Sequence, residues 1–340
     1  LIAGLGESIG YALRLVFGHI ADRTRTYWTL TFVGYGLIAC IPLLAFTTTW
    51  PIAAVLIILE RLGKATRAPA RDAILSHATK LVGRGFGFGI HEALDQVGAI
   101  IGPLLFSLVF VLGGSYHAGF TLLWLPAVLV LAVLGLAKRR VPQPEELEMP
   151  QKGQSGTEGK LPTVFWVYML FTFFSGAGFV NFPLISYSLK VRSVVSDIHI
   201  PTLFAIAMGV DAVTALAVGK LYDKIGLKAL GAVPLLSLIV PLLAFTRAHL
   251  LVVASIVVWG MLMGIHETIM RAAVADLTPI DRRGFAYGVF NTAYGASWLI
   301  GGVIMGILHD ISTGYLTLFA VLMEILSMPL LFTLAEKPQK

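Results

Sequence analysis

The sequence predicts an all-α membrane protein made of two related helical bundles, and three observations predict it. Eleven apolar stretches, most of 18 to 28 residues, follow one another along the 340-residue chain. A helix of about 20 residues, rising ~1.5 Å per residue, crosses the roughly 30 Å hydrocarbon core of a bilayer. Hydrophobic residues make up 57% of the chain and charged residues 13%, against about 25% charged in a soluble domain. Finally, the basic residues collect in every second loop.

In chain order the spans cover about 1–21, 28–46, 51–67, 85–112, 118–137, 163–189, 201–221, 228–246, 249–273, 284–308 and 313–334. The first carries Glu7 and Arg14 within an otherwise apolar run, and the second holds Cys40, the one cysteine, so no intrachain disulfide can form. The fourth contains Pro103, which bends it. The sixth is crowded with Phe165, Trp166, Tyr168, Phe171, Phe173 and Phe174, residues that line a cavity or meet lipid at an aromatic belt.

One set of loops and span ends holds 20 of the 25 basic residues: Arg23 and Arg25; Lys64, Arg67, Arg71, Lys80 and Arg84; Lys138, Arg139, Arg140, Lys152 and Lys160; Lys220, Lys224 and Lys228; Arg271, Arg282 and Arg283; Lys337 and Lys340. The opposite set holds Lys190, Arg192 and Arg247. Basic loops stay in the cytoplasm, which places the C-terminus there and residue 1 outside. The net charge of +6 is therefore a topology signal and does not indicate a nucleic-acid partner.

Residues 138–162 form the longest polar stretch, rich in Pro, Gly, Glu, Gln and Lys. They read as a cytoplasmic linker between an N-terminal bundle, 1–137, and a C-terminal bundle, 163–340.

The two halves echo each other. Gly18-His-Ile-Ala-Asp22-Arg23 after the first span is matched by Gly219-Lys-Leu-Tyr-Asp223-Lys224 after the seventh. Arg67-Ala-Pro-Ala-Arg-Asp72 is matched by Arg271-Ala-Ala-Val-Ala-Asp276, and Arg84-Gly-Phe-Gly-Phe-Gly89 by Arg283-Gly-Phe-Ala-Tyr-Gly288. Three matches in one order, each displaced by about 200 residues, define a parallel duplication. Parallel repeats are a transporter architecture, with the substrate site expected between the halves near the midplane. The span at 163–189 alone lacks a first-half partner, so a further helix is expected before residue 1.

On these residues the chain resembles the major facilitator superfamily, whose members have twelve helices as 6+6; the spans here correspond to its helices 2 to 12, five and six. The family's loop signature G-x-x-x-D-R-x-G-R-[RK] is met by Gly18, Asp22 and Arg23, with Thr24-Arg25-Thr26-Tyr27 departing from it. The second copy, Gly219, Asp223 and Lys224, keeps the later glycine as Gly226. The antiporter signature of the family's fifth helix, G-x-x-x-G-P-x-x-G-G, is met by Gly98, Gly102 and Pro103, with Phe106-Ser107 in place of the final pair. The resemblance implies a secondary transporter of a small organic solute working by alternating access without a cofactor. It also implies that Asp22 and Asp223 belong to gates at the cytoplasmic ends. By their spacing alone these aspartates are equally capping residues of ordinary turns.

Ionisable residues within spans cost several kcal/mol unless paired or wet. Glu7, Arg14, Glu92, Asp95, Asp211 and Glu267 are the candidates for a proton or substrate site, with His91, His266 and Glu324 also within spans. A carboxyl in an apolar surround can load and release a proton; the bland reading for each is structural pairing, for instance Glu7 or Glu92 with Arg14. Arg67 and Asp72, and Arg271 and Asp276, read as interhelical salt bridges with a gating role. Gly98 and Gly102 share one helix face, and Gly85 and Gly89 another; both are read as helix-packing faces. Gly6-Glu-Ser-Ile-Gly10 fits a nucleophile elbow in letters only, since it lies in a membrane helix and the elbow needs a strand-turn-helix. Gly-Ile-His-Glu at 89–92 and 264–267 lacks the second zinc-binding histidine, and no Walker A sequence is present. What remains is a non-enzymatic, proton-coupled exporter in the inner or plasma membrane, working as a monomer, with uptake by symport as the rival. Rivals of a different class are an intramembrane enzyme and a non-transporting sensor on the same fold.

Overall fold

The computed structural model describes residues 2–148 and 160–335, the side chains of 2–9, 197 and 335 excepted. Residues 149–159 of the 138–162 linker lie outside the described residues, as do Lys337, Lys340 and the side chain of Glu7.

Eleven helical spans and no strand occur among the described residues. They are α1 (Ile2–Thr24), α2 (Tyr27–Phe46), α3 (Trp50–Ala78), α4 (Arg84–Val111), α5 (Tyr116–Arg140), α6 (Thr163–Val191), α7 (Ile200–Ile225), α8 (Ala232–Ala244), α9 (His249–Asp276), α10 (Arg283–Ile311) and α11 (Thr313–Ala335). Eight segments are long and apolar enough to cross a membrane, one of which, Ile200–Ala244, contains both α7 and α8; α1 and α3 complete the eleven.

Local sequence sets the ends. Pro51 and Pro201 occupy first-turn positions of α3 and α7, where a missing N–H costs nothing. Gly226, with φ of 62°, terminates α7. Two spans differ from their sequence reading. The apolar run of α3 ends near Arg67, yet the helix continues to Ala78, about 16 Å further. Ala68, Pro69, Ala70, Asp72 and Ala73 are buried along this extension, and Arg67, Arg71 and Asp72 sit on a helix and not in a loop. The span of α6 is broken: its first part stops at Gly178, Phe179 is extended, and a second part starts at Phe182. Pro183 has no N–H to bond the Phe179 carbonyl and its ring would clash there, so an unbroken helix cannot run through it, and the Asn181 side chain caps the restart by accepting from the Leu184 N–H at 3.0 Å.

The helices group into two compact units. The first comprises Leu1–Lys80, Ile101–Leu161 and Thr278–Thr292; in it α1 and α2 pack on α3. The second comprises Leu81–Ile100, Pro162–Leu277 and Ala293–Lys340; in it α7 and α8 pack on α9, and α6 packs on α11. The same three-helix pattern thus forms around α3 and around α9, the two helices that carry the Arg-x-x-x-x-Asp repeat. Large apolar side chains along α5 face outward, Leu125 and Val128 among them, as lipid contact requires.

Candidate functional site

The first unit contains the first repeat of the loop signature. Gly18 lies flat against the first turns of α10: a Cβ there would overlap the Gly284 carbonyl and come within 3.2 Å of Gly288 Cα. That approach brings the Asp22 carboxylate to the N-terminus of α10, where it accepts the backbone N–H groups of Gly284 at 2.8 Å and Phe285 at 2.6 Å. The Tyr27 hydroxyl donates to the same carboxylate at 2.7 Å. An anion at a helix N-terminus satisfies orphan donors and meets the positive end of the dipole. Arg23 does not join this cap; with His19, Asp22, Arg25, Asp281 and Arg282 it lines a cavity of about 420 Å³.

The second unit repeats the device. The Asp223 carboxylate of α7 accepts from the N–H groups of Gly85 and Phe86 at the start of α4, both at 2.8 Å. Gly85 rests on the Gly219 carbonyl and Gly89 on Ala215, so this pair is a packing face, as read from the sequence. Lys224 is exposed; the neighbouring Lys220 lies over the Phe86 ring at 4.9 Å. At the same end Asp276 pairs with Arg84 and accepts from the Tyr222 hydroxyl at 2.8 Å. The expected Gly98 and Gly102 packing face is not found: a Cβ at either meets nothing within 4 Å among the described residues. Gly85→Val is therefore expected to cost about 2–3 kcal/mol through overpacking, while Gly98→Val stays within about 0.5 kcal/mol. Thermal unfolding of the two variants in detergent checks this contrast.

Deeper in the second unit the sequence-read acids converge. Glu92 of α4 is 2% exposed; Gln96, one turn on, donates to it. Arg271 of α9 reaches Glu92 at 3.5 Å and pairs with Glu267 on its own helix. Asp211 of α7 is fully buried, both its carboxylate oxygens lack a hydrogen-bond partner among the described residues, and it is repelled by Glu92 and Glu267. Gly264 makes room for it, since a Cβ there would stand 3.1 Å from Asp211 Oδ1. Two carboxyl groups on two helices thus share one guanidinium, and a third, on α7, lies within the same electrostatic field. At an effective dielectric of ~20, one ion pair at this separation gains about 5 kcal/mol before desolvation; a second carboxylate gains from the same guanidinium but is repelled by the first, so the single cation leaves the acids undercompensated. Asp95 lies one turn beyond Glu92, is exposed, and adds to the negative field on it.

Arg271 pairs across helices with Glu92 and, one turn back on its own helix, with Glu267; Asp276 pairs across helices with Arg84, so the interhelical ion pairs read from the sequence form in this copy of the repeat. Arg67 donates to the Gly34 carbonyl at 3.1 Å and lies over the Tyr35 ring, and Arg71 is the cation beside Asp72 at 2.8 Å. Arg14 donates to Asn291 at 2.9 Å and stacks over Tyr11 at 4.1 Å. Sequence reasoning missed Gln96 and Asn291, which are neutral, and Glu148. The Glu148 carboxylate from the linker accepts from both terminal nitrogens of the buried Arg283 and stands 3.2 Å from His77 Nδ1. The signal for it was an acidic run, Glu145-Glu146-Leu147-Glu148, facing the basic ends of α3 and α10.

These features belong to a polytopic helical protein: a duplicated three-helix pattern, an aspartate capping a helix start in each unit, and acids gathered near one arginine. The family profile of the Major Facilitator Superfamily matches residues 2–302 and 164–340. An uncharacterised protein of Mycobacterium tuberculosis is 41% identical over 340 residues, covering 98% of this chain and 83% of the relative. An uncharacterised MFS-type transporter of Methanocaldococcus jannaschii is 28% identical, covering 96% and 83%. Among solved structures, the human organic anion transporter MFSD10 (TETRAN) superposes with a TM-score of 0.75 at 14% identity, covering 98% of this chain and 82% of that one. The Escherichia coli fucose:proton symporter FucP does so with a TM-score of 0.68 at 14% identity, covering 98% and 89%. The chain belongs to the major facilitator superfamily, and its fold is that of a membrane transporter.

Proposed function

We propose that this transporter exchanges protons against a small organic solute and works as an exporter, with the Glu92–Asp211–Glu267–Arg271 cluster as the proton and substrate site. The observation that carries the reading is the fully buried, unpartnered Asp211 carboxyl beside a guanidinium already shared by two acids. Such a group is costly as an isolated anion. It is relieved by a proton or by a cationic solute, and the two compete. That competition is the physical basis of exchange. The partial fifth-helix signature, Gly98, Gly102 and Pro103, supports the export direction, and one structural neighbour of the same fold is by its name a fucose:proton symporter, which agrees with proton coupling.

The capping aspartates are read as gates. Asp22 and Asp223 hold the starts of α10 and α4 in one state and release them in the other, which is alternating access at the cytoplasmic end. The excess of basic residues in those loops supports reading that end, the linker and the C-terminus as cytoplasmic; the protein is read as working as a monomer in the inner or plasma membrane. In proteoliposomes carrying an imposed pH gradient, a panel of organic cations and neutral solutes should contain at least one compound that the wild type moves. Glu92→Gln and Asp211→Asn should each remove the pH dependence of that flux. Flux that is indifferent to both substitutions and to the gradient rejects proton coupling. Accumulation with the proton gradient, in place of exchange against it, assigns uptake.

A further inference from the structure

The second unit holds another buried carboxyl, remote in sequence from the cluster and unused by the exchange just described. Glu324 is the twelfth residue of α11, about 17 Å into a helix of 23 residues, and its exposure is 0%. Its Oε2 is 3.2 Å from the Ser327 hydroxyl. Its Oε1 has no hydrogen-bond partner among the described residues. No basic side chain is among the groups acting on it: its own helix offers Ser327, and α8 offers Ser237.

Oε1 is aimed at the break in α6. A Cβ placed on Gly178 would stand 3.2 Å from it, and Gly178 is the last residue of the first part of that helix. With Phe179 extended, the helix ends there, and the last four carbonyls of an ended helix have no intrahelical partner. They also carry the negative end of the helix dipole. Ser175 lies one turn back on the same face, fully buried, with its hydroxyl oxygen unpartnered among the described residues. The carboxylate thus stands beside the last residue of the broken helix, whose final carbonyls the break frees, with the Ser175 hydroxyl one turn back. All but the hydroxyls are acceptors, and acceptors cannot satisfy one another. A proton would serve one of them; a small hard cation binds several oxygens at once. Unwound carbonyls at half-helix C-termini are the means by which membrane transporters hold sodium.

We infer that the Glu324 carboxylate and the broken end of α6 form a binding site for a monovalent cation of sodium size. The break is clad by aromatic rings: Trp259 stacks on Phe179 at 5.6 Å and donates to the Val180 carbonyl at 2.8 Å, and Trp298 lies 5.2 Å from Phe179. This cladding keeps competing water from the oxygens and holds the extended residues in place.

Radiolabelled sodium binding to the purified protein in detergent, at constant pH and with choline chloride holding ionic strength, tests the site. Saturable binding is expected in the wild type, and a loss on the order of tenfold in affinity in Glu324→Gln. Sodium should also raise the unfolding midpoint of the wild type relative to choline and leave that of the variant unmoved. If Glu324→Gln does not fold, Ser237→Ala, which keeps the carboxylate, is expected to weaken sodium binding several-fold. Absence of saturable sodium binding in the wild type overturns the inference, as does equal binding in Glu324→Gln. A midpoint that responds to pH through Glu324 but not to sodium assigns the site to a proton and overturns it also. None of these readouts depends on solute flux, so the exchange reading and this one fail separately.

Discussion

Arg271→Gln is expected to abolish solute flux and to lower the unfolding free energy by about 3–5 kcal/mol, the usual cost of removing one partner of a buried ion pair. The guanidinium is the cation held by Glu92 and Glu267, and Asp211 lies in the same field. Without it, the buried Glu92 and Asp211 and the half-buried Glu267 are left to repel one another. The chain can respond only by taking up protons permanently, which removes the exchange, or by opening. Adding Glu92→Gln to Arg271→Gln should restore part of the stability, since it deletes one of the uncompensated acids, but it should not restore flux. The double-variant cycle then reads a coupling energy well above the few tenths of a kcal/mol found between independent sites. Strict additivity in thermal unfolding would show that Glu92 and Arg271 do not act as a unit.

Asp22→Ala is expected to release the start of α10 from α1. The carboxylate accepts two backbone N–H groups and a tyrosine hydroxyl, and hydrogen bonds to a charged acceptor are worth about 1.5–3 kcal/mol each. Losing them disfavours the state in which these helix ends are joined by several kcal/mol, enough to shift a balanced two-state equilibrium by more than tenfold. Spin labels at His19 and Arg282, both on the rim of the cavity beside Asp22, should move apart in the variant. An unchanged distance distribution would reduce Asp22 to an ordinary capping residue. Asp223→Ala should have the matching effect at α4, because the same carboxylate-to-backbone geometry recurs there.

The helix count and the duplication were legible because both are written in local composition. Hydropathy marks the spans, and the Gly-x-x-x-Asp and Arg-Gly-Phe repeats mark the equivalent ends. What the repeat did not reveal is that its two elements are complementary. The aspartate of each copy caps a helix that begins with the other repeated element, so Asp22 meets Gly284 and Asp223 meets Gly85. The interhelical ion pairs read for the Arg-x-x-x-x-Asp elements form in the second copy, where Arg271 reaches Glu92 and Asp276 reaches Arg84, while in the first copy Asp72 pairs with its neighbour Arg71 and Arg67 donates to a backbone carbonyl; spacing could not name these partners. The Gly98–Gly102 face was read as packed because small-residue spacing is the signature of close helices, and spacing alone cannot say whether a neighbour is there. The convergence of Glu92, Asp211 and Glu267 was legible only as a set of costly residues. Placing them together required the fold, which aligns α4, α7 and α9 at one depth. The break in α6 was hidden by its even aromatic hydropathy, although Gly176, Gly178 and Pro183 were its traces.

The central claim is that this chain is an alternating-access carrier whose acid cluster faces each side of the membrane in turn. Cysteine placed at Asp95, exposed and one turn from Glu92, in a Cys40→Ser background, tests it with impermeant thiol reagents applied to right-side-out and inside-out vesicles. Labelling from both sides is predicted, with Asp22→Ala biasing it toward the side of the basic loops. Labelling from one side alone, under every condition that folds the protein, would contradict the account.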